Sequence, residues 1–425
     1  FPSTNGKRTR GRPQRKRTAG HVAPHRTEPA PPAGDTTENA HPTRPVDRLP
    51  IDDVLPELRT ALRRGTAAVL QAPPGAGKTT RVPLALLDEP WLAGGRIIVL
   101  EPRRLAARAA ARHMARLLGE REGGTVGYRI RLDTRVSERT RIEVVTEGVL
   151  TRLLQADPAL EGVGLVVFDE FHERSLHADL ALALCLETRA LLRPELRLLV
   201  MSATLEGDEV AAMLDGAPII TSQGRQHPVE TRYLERPVDG PVEAAVARTV
   251  LAALARDAGD VLAFLPGQAE IRRTAARLAG ALPAGGSVAV LPLYGDLPAE
   301  AQDRAIRPVP PGTRKVVLAT SIAETSLTIE GVGIVVDAGL ARVPRFSPRT
   351  GLTRLETVRV SRAAADQRRG RAGRLGPGVC YRLWTAAEHR TLRPHALPEV
   401  LEADLAPLAL ELAVWGAPDP TALRW

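Results

Sequence analysis

After Leu49 the chain alternates short apolar runs with longer Ala-, Leu- and Arg-rich stretches of helical period, the pattern of βαβ units around a parallel sheet. The apolar runs predict one set of strands at 67–71, 96–101, 141–146, 164–169, 196–202 and 218–221. A second set is predicted at 261–265, 287–293, 315–320, 333–337 and 378–383. Between the sets, Gly224 to Gly240 is polar and turn-rich and carries Pro228 and Pro237, which reads as an interdomain boundary. The expected fold class is α/β, with two similar parallel-sheet domains in tandem over 49–223 and 224–385. Residues 1–48 break the pattern: rich in Pro, Thr, Arg and Gly, with almost no large apolar residues, they are expected to form a disordered basic tail.

A length of 425 residues suits two or three domains, and the longest apolar runs, such as Leu180 to Leu186, fall far short of the roughly 18 residues a membrane span needs. Cys185 and Cys380 stand far apart without partners at metal spacing, so they read as buried small hydrophobes rather than a disulfide or zinc pair. The chain starts at Phe1 with no apolar signal core, and a monomeric cytoplasmic protein seen as a fragment is the expectation. Net charge is +9, but the first 48 residues, with ten Lys/Arg against four Asp/Glu, carry +6 of it. A nucleic-acid reading of the body therefore rests on motifs. With five Phe, four Trp and four Tyr, a base-stacking platform is disfavoured and a bound strand is expected to be held by its backbone.

Three segments carry chemistry. Ala72-Pro73-Pro74-Gly75-Ala76-Gly77-Lys78-Thr79 follows a strand and opens a helix, the context of a phosphate loop. Its glycines let backbone N–H groups curl around phosphates, Lys78 would meet the β/γ-phosphates, and Thr79 would ligate Mg²⁺. The strand ending Val167-Phe168 delivers Asp169 and Glu170 to the same sheet edge, where Asp169 would hold Mg²⁺ and Glu170 would polarise the attacking water. Gln367-Arg368-Arg369-Gly370-Arg371-Ala372-Gly373-Arg374 sets arginines three apart in the second domain, which reads either as transition-state charge stabilisation from across a cleft or as a solvated basic face.

These motifs occur in a fixed order with Glu101-Pro102-Arg103-Arg104, Thr146-Glu147-Gly148, Ser202-Ala203-Thr204, Phe264-Leu265-Pro266-Gly267 and Ala323-Glu324-Thr325-Ser326-Leu327-Thr328. The series resembles the superfamily-2 DEAH-box helicases, and Asp169-Glu170-Phe171-His172 with the following residues resembles their bacterial HrpB subfamily. The resemblance implies two RecA-like P-loop NTPase domains followed, over 386–425, by the start of a winged-helix domain. It also implies ATP as cofactor, bound by Gly75, Ala76, Gly77, Lys78, Thr79 and Thr80, with Thr328 and Glu330 near the ribose. Gln367 would contact the γ-phosphate or water, and Arg371 and Arg374 would be arginine fingers. His172, Ser202 and Thr204 would couple nucleotide state to movement, and Arg103, Arg104, Thr146 and Thr320 would contact a nucleic-acid backbone.

Some positions depart from the family pattern: His113 beside Arg112, and Ile306, stand where relatives clamp a base, and Ser321 replaces a usual Asn. Leu340 to Arg362, with arginines at 342, 345, 349, 354, 359 and 362, resembles the family's protruding hairpin or reads as a solvated basic loop. Near the end, Leu401 to Leu408 is expected to begin a helix whose apolar face, Leu401, Leu405, Leu408 and Leu412, is exposed and mobile or prone to association. The function implied is ATP-driven 3′-to-5′ movement along single-stranded RNA or DNA. Ribonucleoprotein remodelling without strand separation, or a nucleotide-sensing scaffold, are the alternatives.

Overall fold

The computed structural model describes residues 48–203, 207–224, 227–283, 285–324 and 329–425. The tail expected over 1–48 lies outside them except for Arg48, as do Thr204 and Thr328. Two sheets organise the rest. The first comprises β1 (Ala67–Gln71), β2 (Arg96–Glu101), β3 (Val126–Ile130), β4 (Asp133–Arg135), β5 (Ile142–Thr146), β6 (Val163–Phe168), β7 (Arg197–Ser202) and β8 (Ile219–Thr221), in the order β4-β3-β5-β2-β6-β7-β1-β8. Every pairing is parallel except β3 with β4. The second comprises β9 (Val229–Tyr233), β10 (Asp260–Phe264), β11 (Val288–Leu293), β12 (Arg314–Ala319), β13 (Val332–Asp337) and β16 (Gly378–Arg382), in the order β11-β12-β10-β13-β16-β9 and parallel throughout. β14 (Leu340–Ser347) and β15 (Leu352–Arg359) form a separate antiparallel hairpin.

Alternating residues of each central strand enter two different cores, as the pleat requires. Val69, Leu100, Val166, Phe168, Leu198 and Val200 pack on one side of the first sheet, and Leu70, Val99, Leu165, Val167, Leu199 and Met201 on the other. Burial on both faces explains why these strands read as continuous apolar runs. Parallel alignment also fixes the chemistry, because the register Gln71↔Ser202, Phe168↔Val200, Leu100↔Phe168 and Glu101↔Thr146 brings five strand C-termini to one edge. Cys185 and Cys380 are buried thiols. Among the described residues, no helix is long and apolar enough to cross a membrane.

Three sequence readings need correction. The polar stretch 224–240 is more than a boundary, since it contributes β9 as an edge strand beside β16. A five-residue edge strand with no fully buried position lacks the apolar run that marks the central ones. The first sheet is not purely parallel, because β3 runs on into the short antiparallel β4. The last helix is Ala406–Trp415, not a helix from Leu401, and Leu408 and Leu412 are buried against the first lobe with Leu154, Leu180 and Leu184. Leu401 and Leu405 remain exposed.

The segment after β16 thus returns to the first lobe. Its Glu399 N–H donates to Arg174 O at 3.1 Å, and its carboxylate accepts from Leu176 N–H at 3.0 Å. On its way it meets the hairpin, where Phe346 N–H donates to Glu402 O and Arg345 pairs with the Glu402 carboxylate at 3.0 Å. Packing of this strap onto the first lobe is testable within one helix. Leu412→Ala should lower stability to urea by about 2–4 kcal/mol, as loss of a buried leucine does, whereas the exposed Leu410→Ala should stay within about 0.5 kcal/mol of the parent.

Candidate active site

The phosphate loop leaves β1 with Ala72 N–H bonded to Ser202 O at 3.0 Å, so the loop is tied to the neighbouring strand end. Gly75 and Gly77 adopt φ of 86° and 95°, which a side chain rarely tolerates. At Gly77 a Cβ would also meet Leu49 Cδ1 at 2.6 Å and Ile51 Cγ2 at 3.2 Å, so those side chains would have to shift. The helix Lys78–Leu86 begins immediately afterwards, aiming its N-terminus at the loop, with Thr79 and Thr80 in its first turn.

Lys78 and the carboxylates at the end of β6 meet in a nearly dry pocket. Lys78 Nζ lies 3.0 Å from Glu170 Oε1, both side chains being at most 4% exposed. The Thr79 hydroxyl bonds Asp169, whose other oxygen accepts the Glu170 N–H at 2.8 Å. Glu170 itself sits at φ 50°, a left-handed turn that swings its carboxylate from the strand direction towards Lys78. Burial alone would raise its pKa, but Lys78, His172 and Arg371 outweigh burial and hold it down to about 2. Burial opposes the Lys78 ammonium, yet Glu170 and Asp169 keep its pKa above the ordinary lysine value. Asp169 goes the other way: burial raises its pKa more than Lys78 lowers it.

The second lobe closes this pocket. Arg371 is buried, with its Nε donating to Glu324 O at 2.8 Å, and a Cβ placed at Gly75 would lie 3.8 Å from Arg374 Nε. The Arg374 guanidinium therefore rests over the phosphate loop. Burial, reinforced by Arg374, pushes the Arg371 pKa well below its usual value, and burial brings Arg374 down to about 10. Two guanidiniums crowded into a dry cleft favour an anion between the lobes.

His172 connects the lobes. Ala203 N–H donates to its Nδ1 at 3.2 Å, and its Nε2 lies 2.7 Å from the Gln367 side-chain amide. The predicted coupling residue and the predicted water-contacting residue thus touch each other. Ser202 is buried beside them at the end of β7.

Arg103, expected to hold nucleic acid, has its guanidinium on protein partners: Glu173 at 3.0 Å and, across the cleft, the carbonyl of Ser321. Two further bonds join the lobes here, Arg108 to Gln302 at 3.1 Å and Arg112 to Asp303 at 2.9 Å. A groove of about 1290 Å³ opens beside the catalytic pocket, lined by Arg103, His172, Ser321, Gln367 and the hairpin arginines Arg342, Arg345 and Arg359. Arg104, Thr146 and Thr320 do not line it; Arg104 is exposed, Thr146 precedes the helix Glu147–Ala156 at the end of β5, and Thr320 precedes the short turn Ser321–Ala323 at the end of β12. Glu330 is exposed and acts electrostatically on His113 of the first lobe.

Sequence reasoning assigned no role to Glu324, Arg368 and Asp337, although the first two lie inside quoted motifs. Arg368 is fully buried, bonded to Glu324 at 3.0 Å and Asp337 at 2.9 Å over the Phe264 ring. It ties the helix that leads into the turn of Arg371 and Arg374 to Glu324 and to the end of β13. Glu101 was likewise missed. It is fully buried at the end of β2, and burial together with Asp169 and Glu170 pushes its pKa well above the usual carboxylate range.

A sequence model of the DEAD/DEAH box helicase family matches residues 54–213, and one of the helicase conserved C-terminal domain matches 244–376. The chain is 53% identical over 380 residues to the ATP-dependent RNA helicase HrpB of Escherichia coli, covering 89% of this chain and 47% of that protein. It is 37% identical to the pre-mRNA-splicing factor ATP-dependent RNA helicase prp22 of Schizosaccharomyces pombe, over 87% of this chain and 32% of that one. Two crystal structures of Escherichia coli HrpB, one described as a DEAH/RHA helicase and one as a DExH-box NTPase, match with TM-scores of 0.84 and 0.78 at 52% identity. They cover 89% of this chain and 48% and 46% of theirs. The chain thus spans about half the length of these HrpB relatives.

A pH signature follows from Glu147, at the start of the helix after β5. Burial, with Glu173 and Glu399 adding repulsion against the Ser175 hydrogen bond and Arg103, raises its pKa from 4.5 to about 7. The raised value means its stabilising contribution is full below about pH 4.5 and lost as pH rises through about 7. The stability advantage of the parent over Glu147→Gln should therefore shrink by about 3 kcal/mol across that window, measured by urea unfolding at several pH values.

Proposed function

That the chain belongs to the DEAD/DEAH box helicases is the premise from which we propose its function: it hydrolyses ATP between the two lobes and couples this to movement along single-stranded RNA. The observation that carries the reading is the meeting of Arg371 and Arg374 from the second lobe with Lys78, Asp169 and Glu170 of the first. In this reading the loop N–H groups and Lys78 hold the β- and γ-phosphates, and Glu330 and Thr328 flank the ribose. Thr79 and Asp169 fit Mg²⁺ because the hydroxyl and carboxylate are already side by side; when bound, the ion neutralises phosphate charge. Glu170, kept ionised by Lys78, accepts a proton from the attacking water, and Gln367 orients that water. Arg371 and Arg374 meet the negative charge that spreads over the γ-phosphoryl oxygens.

The groove beside the pocket takes the strand, with arginines addressing phosphates without regard to sequence. RNA is favoured over DNA by what the relatives' names state, and 3′-to-5′ movement is the polarity we assign. Gln367 on His172, and His172 on Ala203, give hydrolysis a route to lobe movement, since losing the γ-phosphate releases Gln367 and both arginines together. The segment 386–425 we read as the start of a winged-helix domain.

Two measurements test the proposal. Glu170→Gln should retain ATP binding while phosphate release falls at least about 100-fold, and Arg371→Ala or Arg374→Ala should each lower turnover about 1000-fold with a smaller effect on affinity. Parental turnover in all three contradicts the cleft assignment. For direction, RNA duplexes with a 3′ overhang should be displaced by the chain, and those with a 5′ overhang should not.

A further inference from the structure

Glu101 is an unexplained cost in the first lobe. It is 0% exposed, and neither carboxylate oxygen has a hydrogen-bond partner among the described residues. The polar side chain within its reach is the carboxylate of Asp169, and two carboxyl groups bond each other only by holding a proton between them, which a cation at Asp169 would displace. Lys78, the cation that acts on Glu101, is committed to Glu170 Oε1 at 3.0 Å. Burying a carboxyl without a donor costs stability, and packing gives no reason for it, because an amide or apolar side chain would fill the end of β2 as well.

What would satisfy Glu101 must bring positive charge and O–H donors together to a dry site beside Asp169. A hydrated divalent cation does both, and Mg²⁺ keeps several of its waters when it binds protein. We propose that Glu101 is an outer-sphere carboxylate of the Mg²⁺ site, accepting a hydrogen bond from a water of the ion that Thr79 and Asp169 would hold. The inference rests on the nucleotide-site reading above and adds a third acidic residue to it. Glu101 is a positioning residue: it touches neither ATP nor the attacking water.

The test is the ratio of affinities of a fluorescent non-hydrolysable ATP analogue measured with Mg²⁺ and in EDTA. In the parent that ratio reports how much the ion adds. Glu101→Gln, which keeps size but loses charge, should reduce the ratio about ten-fold or more, the usual effect of removing an outer-shell partner. Affinity in EDTA should stay within about two-fold, and Glu101→Asp should restore part of the ratio. Because the amide can donate to Asp169, the metal-free thermal midpoint of Glu101→Gln should hold or rise. An unchanged ratio in Glu101→Gln overturns the proposal while leaving the nucleotide site standing. A fallen midpoint together with equal losses in Mg²⁺ and EDTA overturns it in favour of a purely structural residue. A parent whose affinity is indifferent to Mg²⁺ overturns both the proposal and the assignment of Thr79 and Asp169 beneath it.

Discussion

The molecule depends on keeping opposite charges dry at the seam between two sheets. Lys78 and Arg371 are buried beside the Glu170 carboxylate and Arg374 is half-buried over the phosphate loop, three cations near one firmly ionised anion, with Asp169 and Glu101 pushed towards neutrality nearby. Such an arrangement is costly for a protein by itself, because each ion loses its water. Depression of both arginines below their usual pKa is the visible form of that cost. On the proposed reading a triphosphate would supply negative charge here, and the same low dielectric that penalises crowded cations strengthens their hold on an anion.

Parallel sheets make the arrangement possible by collecting strand ends at one edge, and a few bonds then transmit what happens there. Gln367, His172 and Ala203 form one line from the second lobe to the end of β7. Arg103, reaching from the first lobe to Ser321 O, forms another, and the turn that starts at Ser321 ends at Glu324, whose carbonyl holds Arg371. Groove and the Lys78–Glu170 pocket therefore share a wall: what displaces Arg103 from Ser321 also bears on Arg371. The C-terminal strap adds a mechanical link, since it is bonded to the hairpin at Glu402 and packed on the first lobe at Leu408 and Leu412.

Sequence revealed what depends on local pattern. Central strands buried on both faces are apolar throughout, and the phosphate loop needs glycines at positive φ, so β1, β2, β6, Gly75 and Gly77 were all legible. Strands β3, β4 and β9 were not: β3 is interrupted by Gly127 and Arg129, and β4 and β9 are short edge strands that lack full burial, whereas the edge strands β8 and β11 were read from their apolar runs. Side-chain pairing was the other blind spot. Arg103 looks like a phosphate contact in its motif, yet Glu173 and Ser321 claim it in the fold. Leu408 and Leu412 looked like an open apolar face because nothing in their vicinity announces that the helix folds back onto the distant first lobe.

The central claim is that the second-lobe arginines act on the terminal phosphate. Thermal unfolding of the chain with Mg²⁺ and ADP, compared with the same sample after beryllium fluoride is added to fill the γ-phosphate position, tests it most directly. The account predicts a clearly higher midpoint with beryllium fluoride, because only then do both lobes grip one ligand. Equal midpoints, with ADP itself bound, would contradict it.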